Sequence, residues 1–145
     1  FKYSKKLYFA RILSQLLLEK LCAQNDFKLP DCIIPVPLHR SRQRERGFNQ
    51  SVEIAKPIAK HLNIHLDSTS IIRHKKTQSQ SQLNAKQRIK NIVNAFSCRK
   101  TIDYQHVAVI DDVVTSGQTV NELSKLLRKC GVKTIQIWCV ARTEH

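Results

Sequence analysis

The sequence predicts an α/β domain with a mainly parallel central sheet flanked by helices. Helix-like and strand-like segments alternate along the chain, as they do in α/β proteins. The segment from Val107 to Ile110 is continuously apolar, which is typical of a parallel strand that is covered on both faces. The chain has 145 residues, of which 41% are hydrophobic and 25% charged, so a single domain with a substantial core is expected over residues 1–145.

The amino-terminal part is expected to contain a long helix, a strand and a basic loop. Leucine and alanine recur at helical spacing over residues 5–24, which predicts an amphipathic helix. The apolar run at residues 32–36 predicts the first strand, with an irregular exit because prolines flank its end. The segment from Arg40 to Gly47 is polar and basic, and it is predicted to be a loop.

A second helix is predicted over residues 50–62, with Asn49 or Ser51 as its cap. Pro57 cannot donate a backbone hydrogen bond, so a kink or an early break is expected there. Gln105 to Ile110 is predicted to be the central strand, and residues 118–130 a helix that stops at Gly131. Further strands are expected at residues 64–66, 71–73, 93–97 and 135–140.

A polar segment interrupts this alternation at residues 74–90. It is rich in Lys, Gln and Ser and contains neither Gly nor Pro. It is predicted to be a mobile lid loop that ends in a short helix around Ala85–Lys90 and closes over a ligand. The predicted lid residues are Lys75, Lys76, Thr77, Gln78 and Arg88.

The clearest chemical signal is the thirteen-residue string from Val107 to Thr119. It predicts a strand that ends in two carboxylates, Asp111 and Asp112, followed by a turn of small hydroxyl residues and a helix. Ligands of open α/β sheets gather outside the carboxyl ends of the strands. Carboxylates there can accept hydrogen bonds from sugar hydroxyls or hold a hard cation, and the turn can bind a phosphate at the helix N-terminus. An acidic pair near a helix start also has a purely structural interpretation, as part of the cap.

The complete string resembles the signature of type I phosphoribosyltransferases, which bind 5-phosphoribosyl-1-pyrophosphate (PRPP) and magnesium. The resemblance implies a type I phosphoribosyltransferase-like fold. It also implies that Asp111 and Asp112 contact the ribose hydroxyls and hold Mg²⁺ together with the ligand. The loop after them would wrap the 5′-phosphate. Its predicted phosphate-binding residues are Val114, Thr115, Ser116, Gly117, Gln118 and Thr119.

Four arginines occupy alternate positions just after the first predicted strand. Guanidinium groups bind phosphate oxygens bidentately, so the segment is predicted to hold either pyrophosphate or a nucleic-acid backbone. A solvated basic loop is the alternative. The net charge of +14 also favours polyanions, since fourteen Lys and Arg but three acidic residues lie between His39 and Lys100. The predicted pyrophosphate or DNA contacts are His39, Arg40, Arg42, Arg44 and Arg46.

Three parts of the chain together resemble the ComF-type competence proteins, a phosphoribosyltransferase-like family linked to natural transformation. They are the stretch from Val36 to Gln50, several positions between Thr77 and Phe96, and the string that contains Asp111. The resemblance implies binding of single-stranded DNA, contacts with other competence and DNA-uptake proteins, and leaves a homodimer open. The family commonly carries an amino-terminal four-cysteine zinc module. Nothing before Cys22 can supply one, so no zinc site is expected in this chain.

Cysteine usage and hydropathy indicate the compartment. Five cysteines without C-x-x-C spacing predict free thiols in a reducing, cytoplasmic setting, with a peripheral position at the inner membrane left open. No apolar run reaches the ~20 residues of a membrane span. The chain begins at Phe1 and contains no Met, which is expected of a fragment or a processed form.

Three functional hypotheses follow. The preferred one is a competence-related protein that binds PRPP with Mg²⁺ and handles single-stranded DNA mainly through phosphates, because few aromatic residues interrupt the basic stretch. The second is an active phosphoribosyltransferase, since the ribose-phosphate motif is intact. The third is a basic α/β adaptor with a vestigial site. The sequence does not identify an acceptor for the phosphoribosyl group.

Overall fold

The structure is a computed structural model and describes residues 2–75 and 84–143. Helices and strands alternate through these residues, as the sequence predicts. In chain order the elements are α1 (Lys2–Cys22), β1 (Cys32–Pro35), α2 (Arg40–Arg46), α3 (Gln50–Leu62), β2 (His65–Leu66), β3 (Ile71–Arg73), α4 (Ala85–Ile92), β4 (Phe96–Cys98), β5 (His106–Val114), α5 (Gln118–Lys129) and β6 (Thr134–Arg142).

The central sheet is parallel and has the strand order β2-β1-β5-β6. In its register Ile34 of β1 lies opposite Val109 of β5, which in turn lies opposite Ile137 of β6. Strands β3 and β4 form a separate antiparallel pair in which Arg73 faces Phe96. The predicted fold class, a mainly parallel sheet flanked by helices, is confirmed.

Successive residues of the central strands enter two hydrophobic cores, one on each face of the sheet. Ile34 and Val109 belong to the core that α5 covers with Leu123 and Leu127. Ile33 and Ile110 belong to the other core, which helices α1 and α3 cover. Burial on both faces explains why these strands are continuously apolar in the sequence.

Helix α2 occupies the segment that was predicted to be a basic loop, so that prediction is wrong. His39 caps the helix, because its Nδ1 accepts a hydrogen bond from the Ser41 amide at 3.1 Å. The helix ends at Gly47, which has a φ of +77° and donates its N–H to the carbonyl of Gln43 at 2.7 Å. The segment contains no buried residue, so hydrophobic periodicity could not reveal the helix.

Helix α3 begins at the predicted cap, since Asn49 Oδ1 accepts from the Ser51 amide at 3.0 Å. The predicted break at Pro57 is wrong, because the helix continues to Leu62. A proline inside a helix costs about 3 kcal/mol. Ile54 and Ile58 are fully buried on either side of it, and each such burial stabilises the fold by about 2 kcal/mol. Packing therefore outweighs the missing hydrogen bond.

Strand β5 extends to Val114, beyond the predicted end at Ile110, so the acidic pair lies within the strand rather than after it. Asp111 lies opposite Cys139 in the pairing with β6. Helix α4 starts at Ala85, as predicted, behind a capping box formed by Asn84 and Gln87. None of the helices in the described ranges is both long and apolar enough to cross a bilayer.

Candidate functional site

A cavity of about 220 Å³ opens at the carboxyl ends of β1 and β5. From β1 the chain passes to α3 on one face of the sheet, and from β5 it passes to α5 on the other face. The connections after the two neighbouring strands therefore leave on opposite faces of the sheet, and such a point is where open α/β sheets bind ligands. The polar residues around the cavity come from α2, α3, β3, β5 and the turn before α5.

Asp111 and Asp112 lie side by side in the wall of this cavity. Asp111 Oδ1 accepts hydrogen bonds from the Asp112 amide at 2.9 Å and from the Ser51 hydroxyl at 3.4 Å. Asp112 Oδ1 accepts from the Val113 amide at 2.8 Å. Burial, and then the neighbouring carboxyl of Asp112, raise the pKa of Asp111 to about 7. A cation or a pair of hydroxyl donors would relieve this concentration of negative charge.

The turn between β5 and α5 forms the floor of the same cavity. All six predicted phosphate-binding residues, from Val114 to Thr119, line it. Gly117 has a φ of +80°, a conformation that glycine adopts without strain, and α5 starts from it. In the described part of the chain no side chain caps this helix start. The first amides of a helix lack intrahelical partners, so this N-terminus suits an anion.

Helix α2 divides four of the five predicted basic residues between two cavities and leaves the fifth outside both. Arg42 and Arg46 are one helical turn apart and both line the 220 Å³ cavity. His39 and Arg40 instead line a second cavity of about 710 Å³, and Arg44 lines neither of the two. Alternate positions share a face in a strand, but positions four apart share a face in a helix. The set is therefore divided because the segment is helical.

Arg73 is a site residue that the sequence analysis missed. It is the last residue of β3, it lines the cavity, and its guanidinium carbon lies 5.6 Å from the centre of the Phe96 ring. Burial, and then the charge of Arg42, lower the pKa of Arg73, while the Asp111 carboxylate opposes the shift. A signal was present in the sequence, since an arginine ends an apolar strand at residues 71–73. Only the tertiary structure shows that this arginine lines the same cavity as the acidic pair.

The predicted lid is only partly within the described residues. Lys75 Nζ donates a hydrogen bond to the carbonyl of Lys90 at 3.1 Å, which connects the start of the segment to α4. Arg88 lies in α4. Lys76, Thr77 and Gln78 lie outside the described residues, so the closing movement stays a prediction.

Among the residues that the structure describes, two groups of side chains have the chemistry of metal ligands. The carboxylates of Asp111 and Asp112 are hard oxygen donors, and they fit Mg²⁺ that a phosphorylated ligand also coordinates. Cys32, His65 and Asp67 lie elsewhere, at β1 and β2, with their ligand atoms within 4.8 Å of one another.

The carboxylate of Asp67 already has a structural role. Its oxygens accept from the amides of Thr69 and Ser70 at 3.1 and 3.0 Å, from the Ser70 hydroxyl at 2.5 Å, and from the Tyr104 hydroxyl at 3.2 Å. Burial raises the pKa of the Cys32 thiol to about 12, which disfavours the thiolate that a metal needs. We therefore interpret this group as a structural hydrogen-bond cluster.

Comparison with known proteins places the chain among phosphoribosyltransferase-like and competence-related relatives. It is 41% identical to DNA utilization protein YhgH of Escherichia coli O157:H7 and 40% identical to Competence protein F of Haemophilus influenzae. Each alignment covers 98% of this chain, and 64% and 65% of the respective relatives. The chain thus spans slightly less than two thirds of their length. These relatives confirm the predicted resemblance to ComF-type competence proteins.

The fold has solved counterparts. Purine phosphoribosyltransferase from Pyrococcus horikoshii superposes with a TM-score of 0.53 at 19% identity, over 94% of this chain and 85% of that one. The allosteric regulatory enzyme of purine biosynthesis superposes with a TM-score of 0.55 at 18% identity, over 88% of this chain and 25% of that one. Residues 49–145 match the model of the phosphoribosyl transferase domain. The chain belongs to this phosphoribosyl transferase domain family.

Proposed function

We propose that this domain binds PRPP together with Mg²⁺ and handles single-stranded DNA in a competence-related process. The observation that supports it most is the convergence of three groups on one cavity of about 220 Å³. These groups are the acidic pair Asp111 and Asp112, the open N-terminus of α5, and the arginines of α2. Each suits a different part of PRPP.

In the proposed complex the ribose hydroxyls donate hydrogen bonds to Asp111 and Asp112. The 5′-phosphate accepts from the amides and hydroxyls of the turn from Thr115 to Thr119. Arg42 and Arg46 bind the pyrophosphate by charge-assisted hydrogen bonds. Mg²⁺ would be held by the acidic pair and the ligand, and when bound it would neutralise part of the pyrophosphate charge.

Arg73 strengthens the proposal for the pyrophosphate position. It is half-buried, and the nearby charge of Arg42 contributes to the lowering of its pKa. Two guanidinium groups that repel each other in a partly desolvated site are costly in the free protein. An anion between them would convert that repulsion into attraction, and pyrophosphate has the required negative charge.

Calorimetric titration with PRPP and Mg²⁺ tests the site. The double variant Asp111→Asn/Asp112→Asn should bind PRPP at least tenfold more weakly, a loss of about 1.4 kcal/mol or more. The variant Asp26→Asn/Asp103→Asn is the matched control, because it makes the same change in charge at two exposed positions outside the cavity. Unchanged PRPP affinity in a folded Asp111→Asn/Asp112→Asn protein would contradict the assignment.

The proposal for single-stranded DNA is supported by the second cavity, of about 710 Å³. Its lining combines cationic side chains, including Arg40 and Arg99, with the rings of Phe48 and Tyr3. The two rings meet edge to face with 6.1 Å between centroids, and Lys6 Nζ lies 4.9 Å from the centre of the Phe48 ring. Proteins that bind single-stranded nucleic acid commonly combine a positively charged groove with aromatic side chains on which the bases stack.

Fluorescence anisotropy with a long labelled oligonucleotide tests DNA binding. We expect binding at low salt with little base preference, because phosphate contacts carry no sequence information. Phe48→Leu should weaken binding while preserving the charge, whereas Phe27→Leu, which removes a ring packed on Trp138 outside this cavity, should not. No detectable binding at low salt would exclude the DNA proposal and leave the PRPP proposal standing.

An active phosphoribosyltransferase is the second candidate, and the cluster of Arg42, Arg46 and Arg73 favours it. Fixed cations around pyrophosphate stabilise the charge that develops as this group leaves C1′ of the ribose. The test is release of pyrophosphate from PRPP in the presence of a panel of nucleobases. Turnover that Arg73→Ala decreases would support an enzyme, and absence of release with every acceptor would support a binding function.

A further inference from the structure

Two cysteines from different elements are in contact, away from the PRPP cavity. Cys98 ends β4 and Cys130 directly follows α5, and their Sγ atoms are 2.9 Å apart. A disulfide bond is about 2.05 Å long, so a small movement would bring the two sulfurs to bonding distance. Cys98 is exposed and can be reached by small reagents, whereas Cys130 is half-buried against the core beneath α5.

We infer that Cys98 and Cys130 are a redox modification site that forms a reversible intramolecular disulfide. The oxidant is a low-molecular-weight disulfide such as oxidised glutathione. One cysteine thiolate attacks the oxidant, forms a mixed disulfide and releases one thiol. The second cysteine then attacks the sulfur of the first cysteine and displaces the oxidant's remaining half as the second thiol. One protein S–S bond replaces that of the oxidant, and the two protons of the cysteines pass to the two released thiols.

The environment of the pair sets the rate of this exchange. Burial, and then the contact with Cys130, raise the pKa of Cys98 to about 12. Only thiolates attack disulfides, so the reaction is slow at neutral pH and faster in alkaline buffer. The short distance between the sulfurs favours the second step, because the attacking and the bound sulfur are already neighbours.

The disulfide would enclose the central part of the fold. The two cysteines are 32 positions apart, and β5, the acidic pair, the phosphate-binding turn and α5 all lie between them. A cross-link over a loop of this length stabilises chiefly by restricting the unfolded chain. Because the sulfurs are already in contact, little change in the PRPP cavity is expected on oxidation.

Mass spectrometry of the full chain tests the inference. After incubation with oxidised glutathione at pH 8, we expect loss of two hydrogens and a tryptic cross-link between residues 91–99 and 130–133. The midpoint of thermal unfolding should rise by roughly 10 °C and return after reduction. Cys98→Ser should lose both effects, whereas Cys22→Ser, which removes an exposed cysteine outside the pair, should keep them.

Two results would overturn the inference. One is a glutathione adduct on the wild-type protein with no cross-linked peptide. The other is an equal rise in the unfolding midpoint of Cys98→Ser, which would show that a different pair reacts. The peptide measurement on the wild-type chain does not depend on the folding of any variant.

Discussion

At the scale of single residues, the ionised carboxylate of Asp111 is expected to lower the stability of the ligand-free protein. Its carboxyl is partly buried and adjoins that of Asp112, and these two effects raise its pKa to about 7. In an unfolded chain the same group has a pKa near 3.9. Protonation is therefore favoured in the folded protein, and the stabilisation it gives is lost as the pH rises through 7.

Asp111→Asn removes this titration and should stabilise the ligand-free protein more at high pH than at low pH. The advantage over wild type should be about 2 kcal/mol larger at pH 8 than at pH 5, allowing for solvent screening. Urea unfolding at the two pH values measures the difference, with Asp103→Asn at an exposed position as the control. An advantage of equal size at both pH values would contradict this account of Asp111.

The residues of the candidate site differ in how readily a local sequence pattern identifies them. Asp111, Asp112 and the turn up to Thr119 are contiguous, so one string contains both the strand exit and the helix start. Arg73 joins them only because β3 pairs with β4 and lies next to α2. Such a contact depends on tertiary packing, which local patterns do not encode.

At the scale of elements, α2 decides which arginines share a site. Arg42 and Arg46 lie on the side of the helix that faces the 220 Å³ cavity, and Arg40 lies at the second cavity. In the loop that the sequence predicts for this segment, the four arginines would be equivalent. The helical spacing makes their roles separable by mutation.

Two double variants of α2 should therefore differ in PRPP affinity. Arg42→Ala/Arg46→Ala should weaken binding at least tenfold, because charge-assisted hydrogen bonds to phosphate contribute about 1.5–3 kcal/mol each. Arg40→Ala/Arg44→Ala removes the same charge from the same helix and should change the affinity by less than threefold. Calorimetry measures both, and equal weakening would show that only the total charge of the segment matters.

The start of α5 gives a second test at this scale. Gly117 and Gly131 both have positive φ, +80° and +96°, and added Cβ atoms would meet nothing within 4 Å at either position. Replacement of either by Ala should destabilise the fold by about 1 kcal/mol through backbone strain alone. Of the two variants, only Gly117→Ala should also weaken PRPP binding, because Gly117 lines the cavity and Gly131 does not. Thermal unfolding and titration of both variants separate the two effects.

The elements that the sequence analysis missed or misjudged have physical explanations. Helix α2 buries no residue and so leaves no apolar period. Helix α3 persists through Pro57 because tertiary burial compensates for the lost hydrogen bond. Strand β5 continues past its apolar run because β6 pairs with it as far as Arg142. In each case the deciding interaction is either absent from the local pattern or distant in the sequence.

At the scale of the whole molecule, the excess of positive charge should govern the association with nucleic acid. The net charge is +14, and eleven of these charges are in surplus between His39 and Lys100. Each phosphate of a single strand that is neutralised adds about −0.7 to the slope of log affinity against log salt. Four or five contacts would then give a slope near −3.

The triple variant Arg40→Ala/Lys56→Ala/Arg99→Ala, which removes three charges that line the second cavity, should make that slope shallower by up to ~2 units. The variant Lys125→Ala/Arg128→Ala/Lys129→Ala removes three charges from α5, outside the basic stretch, and serves as the control. Anisotropy titrations at several salt concentrations measure the slopes. If both triple variants reduce the slope equally, the basic stretch has no special role in binding DNA.

The fold class was predictable because the alternation of elements and the apolar central strand are local signals. The order of the strands was not, since β1 pairs both with β2, the next strand in the sequence, and with β5, which lies more than seventy positions after β1. No periodicity reveals which distant strand will become a neighbour. The strand order of the central sheet is therefore established by the structure alone.

The strand order also has a consequence for the time at which the molecule can fold. β1 has only the two-residue strand β2 as a partner until β5 has been synthesised, and β5 completes its own pairing with β6 at the carboxyl end of the described chain. Contacts so far apart in sequence slow folding, because a long loop must close before they form. On the ribosome, the parts of α1 and α3 that cover the central sheet are therefore expected to stay uncovered until β5 has emerged. The 220 Å³ cavity, which is lined by residues from Val36 to Val120, can therefore form only after β5 has joined the sheet.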